Sequence, residues 1–86
     1  MKVGEIWKFK KQNEIMALSA VDKSIINDET REIFSKAIVE ARVRIVAIQE
    51  ELVTYATLLK DNESGLENIL TRKMFIDIYE RDYTRA

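Results

Sequence analysis

Three groups of residues have types and spacings suited to chemistry, and in each case the chemistry is recognition. Thr71-Arg72-Lys73 is expected at a helix start, where unpaired backbone N–H groups beside two cations favour an anion such as a phosphate. The plainer reading is that Arg72 and Lys73 solvate that terminus, although cations there oppose the helix dipole. Arg42 and Arg44 alternate, so on a strand they leave one face a pleat apart and can hold a phosphate or carboxylate. Their plainer reading is a solvated face paired with Glu50 or Glu51. The third group is aromatic. Trp7, flanked by Lys8 and with Lys10 close by, has the character of an interface anchor, and Tyr83 extends that surface near the end of the sequence. A stacking platform for a base, built from Trp7, Phe9, Tyr55, Tyr79 and Tyr83, is the alternative, but a short chain needs most of its aromatics for a core.

Catalytic chemistry is poorly provided for. With no His and no Cys there is no imidazole base, no thiolate nucleophile, no Cys/His zinc site and no Ser-His-Asp triad. Glu50-Glu51 and Asp28-Glu29 are adjacent carboxylates, not opposed ones in differing environments. Asp61-Asn62-Glu63-Ser64-Gly65 fails as a calcium loop: its glycine falls one place early and the terminal bidentate glutamate is missing. A non-enzymatic binder with no catalytic residues, no metal and no cofactor is expected.

The whole chain sets the frame. Its 86 residues allow one domain, 1–86, and a hydrophobic content of 47% with 34% charged residues is the balance of a folded protein. A net charge of −1 gives no general attraction to nucleic acid or anionic membrane. The local patch of Lys2, Lys8, Lys10 and Lys11 keeps a nucleic-acid-binding regulator as a third reading. No apolar run approaches the roughly 18 residues that span a bilayer, and Met1-Lys2-Val3-Gly4-Glu5 lacks a signal-peptide core. Cytoplasm is the expected compartment, in keeping with the absence of cysteine. A core this small, without disulfide or metal, makes a homo-oligomer the expected state.

The elements that must position these residues follow from periodicity. A short strand near 5–10 contains Ile6, Trp7, Lys8 and Phe9, with Gly4 at the bend that enters it. Residues 14–21 fit a strand or a helical turn equally well. Asn27-Asp28-Glu29 caps a helix near 29–41, on which Ile33, Phe34, Ala37, Ile38 and Ala41 recur at helical spacing. Two readings compete beyond it. Phe34, Ile38, Ala41, Ile45, Ile48, Leu52, Tyr55 and Leu59 form a heptad seam, which predicts one long coiled-coil helix over 29–60. The β-branched runs 42–48 and 52–59, separated by Gln49-Glu50-Glu51, predict a hairpin instead, weakened by a turn with no Gly or Asn. The hairpin is preferred, because the seam leaves Val39, Val46 and Val53 facing outward. A loop over 60–65 and a helix near 71–83, capped by Thr71 and carrying an Asp77–Arg81 pair, complete an α+β fold with a small curled antiparallel sheet.

The segments MKVGEIWKFK, RVRIVAI, LVTYATLL and ILTRKMFIDIYERDY together resemble a loose group of small accessory proteins of low-GC Gram-positive bacteria and their phages. In these, a short curled sheet is closed by a C-terminal helix. The likeness covers about half the chain, and residues 12–41 have no counterpart in it. It implies a host-takeover or anti-defence factor in the host cytoplasm, acting by occupying a host protein or by sequestering a nucleotide signal. The leading expectation is a protein-binding inhibitor or regulator. The alternative is a homo-oligomer holding a phosphorylated, nucleotide-like ligand between subunits through Arg42, Arg44, Arg72 and Lys73.

Overall fold

A computed structural model describes residues 1–59 and 62–84, with the backbone course alone for residues 59 and 62–65. The elements in chain order are β1 (Ile6–Phe9), α1 (Lys11–Ser24), α2 (Asp28–Glu40), β2 (Arg42–Gln49), β3 (Leu52–Leu59), β4 (Asn62–Thr71), α3 (Arg72–Ile78) and β5 (Tyr79–Arg81). The strands form one antiparallel sheet in the order β4-β3-β2-β1-β5. The fold is α+β, and among the described residues there is no long coiled-coil helix.

The β-branched runs decide the fork at residue 42. Val43, Ile45 and Val53 point to one face of a β2–β3 hairpin and are buried there, a use of valine and isoleucine that a helical seam cannot match. Gln49 pairs with Leu52, so Glu50 and Glu51 form a two-residue turn. Glu50 takes φ 52°, a left-handed conformation that glycine or asparagine would accept more readily. Arg72 holds this turn from outside: its backbone N–H donates to the Glu51 carbonyl at 2.7 Å, and its Nη2 donates to the Glu50 carbonyl at 3.1 Å. A bulge between Ile45 and Ala47 curls the sheet.

The core lies on one face of the sheet under α3. Phe75, fully buried, meets Trp7 edge-on at 5.2 Å, Tyr55 at 5.3 Å and Tyr79 at 4.9 Å between ring centroids. Burial pushes the Tyr79 phenol well above the usual tyrosine range, and neighbouring Tyr55 adds to the effect. Short α3 touches both β4 and β5, so it closes the curl.

Several boundaries differ from the sequence reading. The strand over 5–10 shortens to Ile6–Phe9, and residues 14–21, which by sequence fit a strand or a helical turn equally well, lie within helix α1. The helix over 29–41 is α2, with the Thr30 N–H donating to Asn27 Oδ1 at 3.0 Å as its cap. The loop reading over 60–65 is corrected in part: residues 60 and 61 lie outside the described residues, and 62–65 belong to β4. The helix over 71–83 ends at Ile78. Tyr79 instead stacks on Phe9 across the β1–β5 pair, at 5.2 Å and 16°, so aromatic burial outweighs continued helix. That break carries Arg81 away from Asp77 and onto Glu5.

Helices α1 and α2 stand apart from this sheet. They pack on each other, and neither buries any of its own residues. The pair is tied at its base, where Asn13 Nδ2 donates to the carbonyls of Asp77 and Ile78 at 3.2 and 3.1 Å. The molecule is accordingly elongated, 43 × 25 × 23 Å, with a radius of gyration of 13.7 Å. About 12 Å would suffice for a compact chain of this length.

Candidate protein-binding site

The antiparallel register of β1 and β5 sets Trp7 opposite Arg81, with both side chains on the same side of the pair. Glu5 lies two residues before Trp7 and joins them. Trp7 Nε1 donates to Glu5 Oε1 at 3.2 Å, and Arg81 Nε lies 3.5 Å from Glu5 Oε2. The Lys2 backbone N–H holds the Glu5 carboxyl below its ordinary range, against the opposing effect of partial burial, with help from Trp7 and Arg81. Arg81 Nη1 donates to the carbonyls of Ile6 and Asp82, which fixes the guanidinium. Its Cζ sits 5.3 Å from the centre of the Tyr83 ring. Tyr83 is 86% exposed. A half-buried tryptophan, a fixed arginine and an exposed tyrosine therefore share one surface, and these three residue types dominate interface hot spots.

Of the residues expected at an interface, the structure brings Trp7 and Tyr83 to this patch. Lys8 alternates to the other side of β1, where it faces Glu80, and Lys10 sits at the strand's end, its backbone N–H bonded to the Ile78 carbonyl. Arg81 and Glu5 escaped the sequence reading. The alternation Arg81-Asp82-Tyr83 was available as a signal, but a helical register over 71–83 hid it.

The residues expected to bind an anion are distributed otherwise. Arg42 Nε is 2.7 Å from Asp82 Oδ2, and its Nη1 donates to the carbonyls of Val39 and Ala41. The Asp82 carboxyl would be raised by burial, but the Thr84 hydroxyl and backbone N–H and the Arg42 guanidinium outweigh this and lower it to about 2. Arg44 projects from the same sheet face, beside Ala56 of β3. Thr71 caps α3 through a 3.2 Å bond from the Met74 N–H, Arg72 clamps the Glu50–Glu51 turn, and Lys73 is exposed. Arg42 sits where β2 begins and Arg72 sits by the turn where β2 ends, so one chain does not bring these two groups together.

Among the described residues, no three carboxylates converge as metal ligands and no helix is long and apolar enough to cross a membrane. In comparison with known proteins, no family model, no curated protein and no solved structure matches the chain.

Proposed function

We propose that the chain is a non-enzymatic protein-binding module of the phage accessory type, which inhibits or regulates a host protein in the host cytoplasm by occupying its surface. The observation that carries this reading is the Trp7–Arg81–Tyr83 patch, ordered by Glu5 before any partner arrives. Preorganisation matters because immobilising a long side chain on binding costs roughly 0.5–1.5 kcal/mol, and Arg81 is already held. Tyr83 supplies the exposed aromatic area and Trp7 the rigid floor. A phosphorylated ligand has less support within one chain, since Arg42 is paired to Asp82 and Arg72 is bonded to a turn.

The test is capture of a host protein on immobilised full-length chain, with identification by mass spectrometry and affinity measurement on the purified pair. Tyr83→Ala is expected to weaken that affinity at least tenfold, corresponding to about 1.4 kcal/mol, while thermal stability is unchanged. Equal affinity of wild type and Tyr83→Ala overturns the site. A nucleotide released on denaturing the purified protein, and lost in Arg42→Ala, overturns the function in favour of sequestration. Association with DNA or RNA that collapses as salt rises would assign the lysines to nucleic acid instead.

A further inference from the structure

Among the described residues, six of the fourteen exposed large hydrophobic side chains lie in the helical hairpin. On α2, Ile33 and Phe34 are 63% and 50% exposed, Ala37 is exposed, and Ile38 is half-buried. At 100° per residue these four fall on a single arc. Ile15 and Met16 are exposed on α1, and Ile26 is 92% exposed in the connection. An isolated helical pair that buries none of its residues has little reason to keep a phenylalanine and an isoleucine in water.

Area suggests how large the missing contact is. The chain has 6296 Å² of accessible surface. A compact monomer of its mass exposes about 5,300 Å². The excess, about 1,000 Å², is close to the ~800 Å² that each partner contributes to a stable interface.

Charge suggests what fills it. At the free end of the hairpin, Asp28, Glu29 and Glu32 occupy the first turns of α2. At the base, Lys8, Lys10 and Lys11 surround the start of α1. Lys23 and Arg31 at the tip, the latter paired with Asp28, and Glu14 and Glu40 at the base, the former paired with Lys11, are exceptions that reduce this segregation without reversing it. Two copies laid antiparallel about a two-fold axis set each acidic tip against the other's basic base, and the same apolar arc meets itself across the axis. A self-complementary patch of this kind is what an isologous dimer requires.

We infer that the α1–α2 hairpin is a homodimerisation arm, pairing with a second copy of this chain as an antiparallel four-helix arrangement through Phe34, Ile33 and Ala37. The arm is independent of the Trp7–Arg81–Tyr83 patch, so the dimer presents two copies of that patch.

Sedimentation velocity on the full chain at about 50 μM, a concentration that populates any dimer of micromolar Kd, is expected to give twice the 10.1 kDa chain mass. Phe34→Glu is expected to weaken association at least a hundredfold with an unchanged circular dichroism spectrum, because the side chain is exposed in the single chain. The pair Glu29→Lys and Glu32→Lys is expected to weaken association, and combination with Lys10→Glu and Lys11→Glu to restore it. A monomeric wild type overturns the inference, as does an oligomer untouched by Phe34→Glu. So does a monomer whose affinity for a captured host protein falls in Phe34→Glu, since the arc then belongs to that partner. Charge reversals that fail to rescue one another overturn the antiparallel arrangement.

Discussion

Arg42 Nε lies 2.7 Å from Asp82 Oδ2, so the strand leaving the helical hairpin is pinned to the residue that follows β5. Asp82 is only 1% exposed and is also bonded by Thr84, which leaves its charge well compensated. An uncompensated charge is the costly state. Asp82→Ala would strand the Arg42 cation and is expected to cost about 3 kcal/mol, whereas removing both partners should cost less than the two single changes together. Urea titrations of both single variants and the double variant test this, and strict additivity would show that the two groups act independently.

The same pair makes stability depend on acid. The folded-state value for Asp82, about 2, lies below the ordinary carboxylate value of about 3.9. A depressed value contributes stability that is fully present above the unfolded value and is lost as pH falls toward the folded one. Between about pH 5 and pH 2 the chain should therefore lose about 2 kcal/mol through this group. Denaturation midpoints across that window should fall more steeply for wild type than for Asp82→Asn. Equal slopes would remove Asp82 as the cause.

Phe75 is the side chain on which the core converges, in contact with Trp7, Tyr55 and Tyr79. Phe75→Ala is expected to destabilise the fold by about 3–5 kcal/mol. For a domain of this size that is a large share of the total. Thermal unfolding followed by near-ultraviolet circular dichroism should show the aromatic signal lost early. A change in Tm of only one or two degrees would mean that the aromatic cluster is not what holds α3 to the sheet.

Glu50 occupies its left-handed conformation against its own preference. Glu50→Gly is expected to stabilise the protein by about 0.5–1 kcal/mol, the relief at the turn exceeding the extra freedom of glycine in the unfolded chain. Arg72→Ala, which removes the bond to the Glu50 carbonyl, is expected to cost about 1 kcal/mol. Both are read from denaturant midpoints. A destabilised Glu50→Gly would show that Glu50 makes a compensating interaction elsewhere.

Asn13 fastens the hairpin to the end of α3. Asn13→Ala is expected to speed hydrogen exchange at the base of α1 while leaving the sheet protected, since the two units share few other contacts. Uniform loss of protection across the chain would show instead that hairpin and sheet open together.

Local chemistry alone determined several features of this protein. Asn27 and Thr71 each cap a helix because a short polar side chain three residues ahead of an N–H satisfies it without tertiary help. The alternating, β-branched runs around Glu50 made a hairpin because valine and isoleucine fit a pleated surface better than a helical one. Of the site, Trp7 and Tyr83 were legible as residue types. What the sequence left undecided depended on partners far along the chain. Residues 14–21 have no decisive period, so α1 exists because it packs against α2. β5 was invisible, since a strand of three residues is stabilised by its neighbour and not by its own propensity, and the edge strand β4 was invisible because its polar start, Asn62 to Gly65, has the composition of a loop. Arg42 could be read as an anion ligand until the fold brought Asp82, 40 positions away, against it. Arg81 likewise met Glu5 and Tyr83 only once aromatic stacking of Tyr79 on Phe9 had turned helix into strand. Capping and pleat preference act within a few residues, whereas the pairing of charges is settled by whichever strands burial brings side by side.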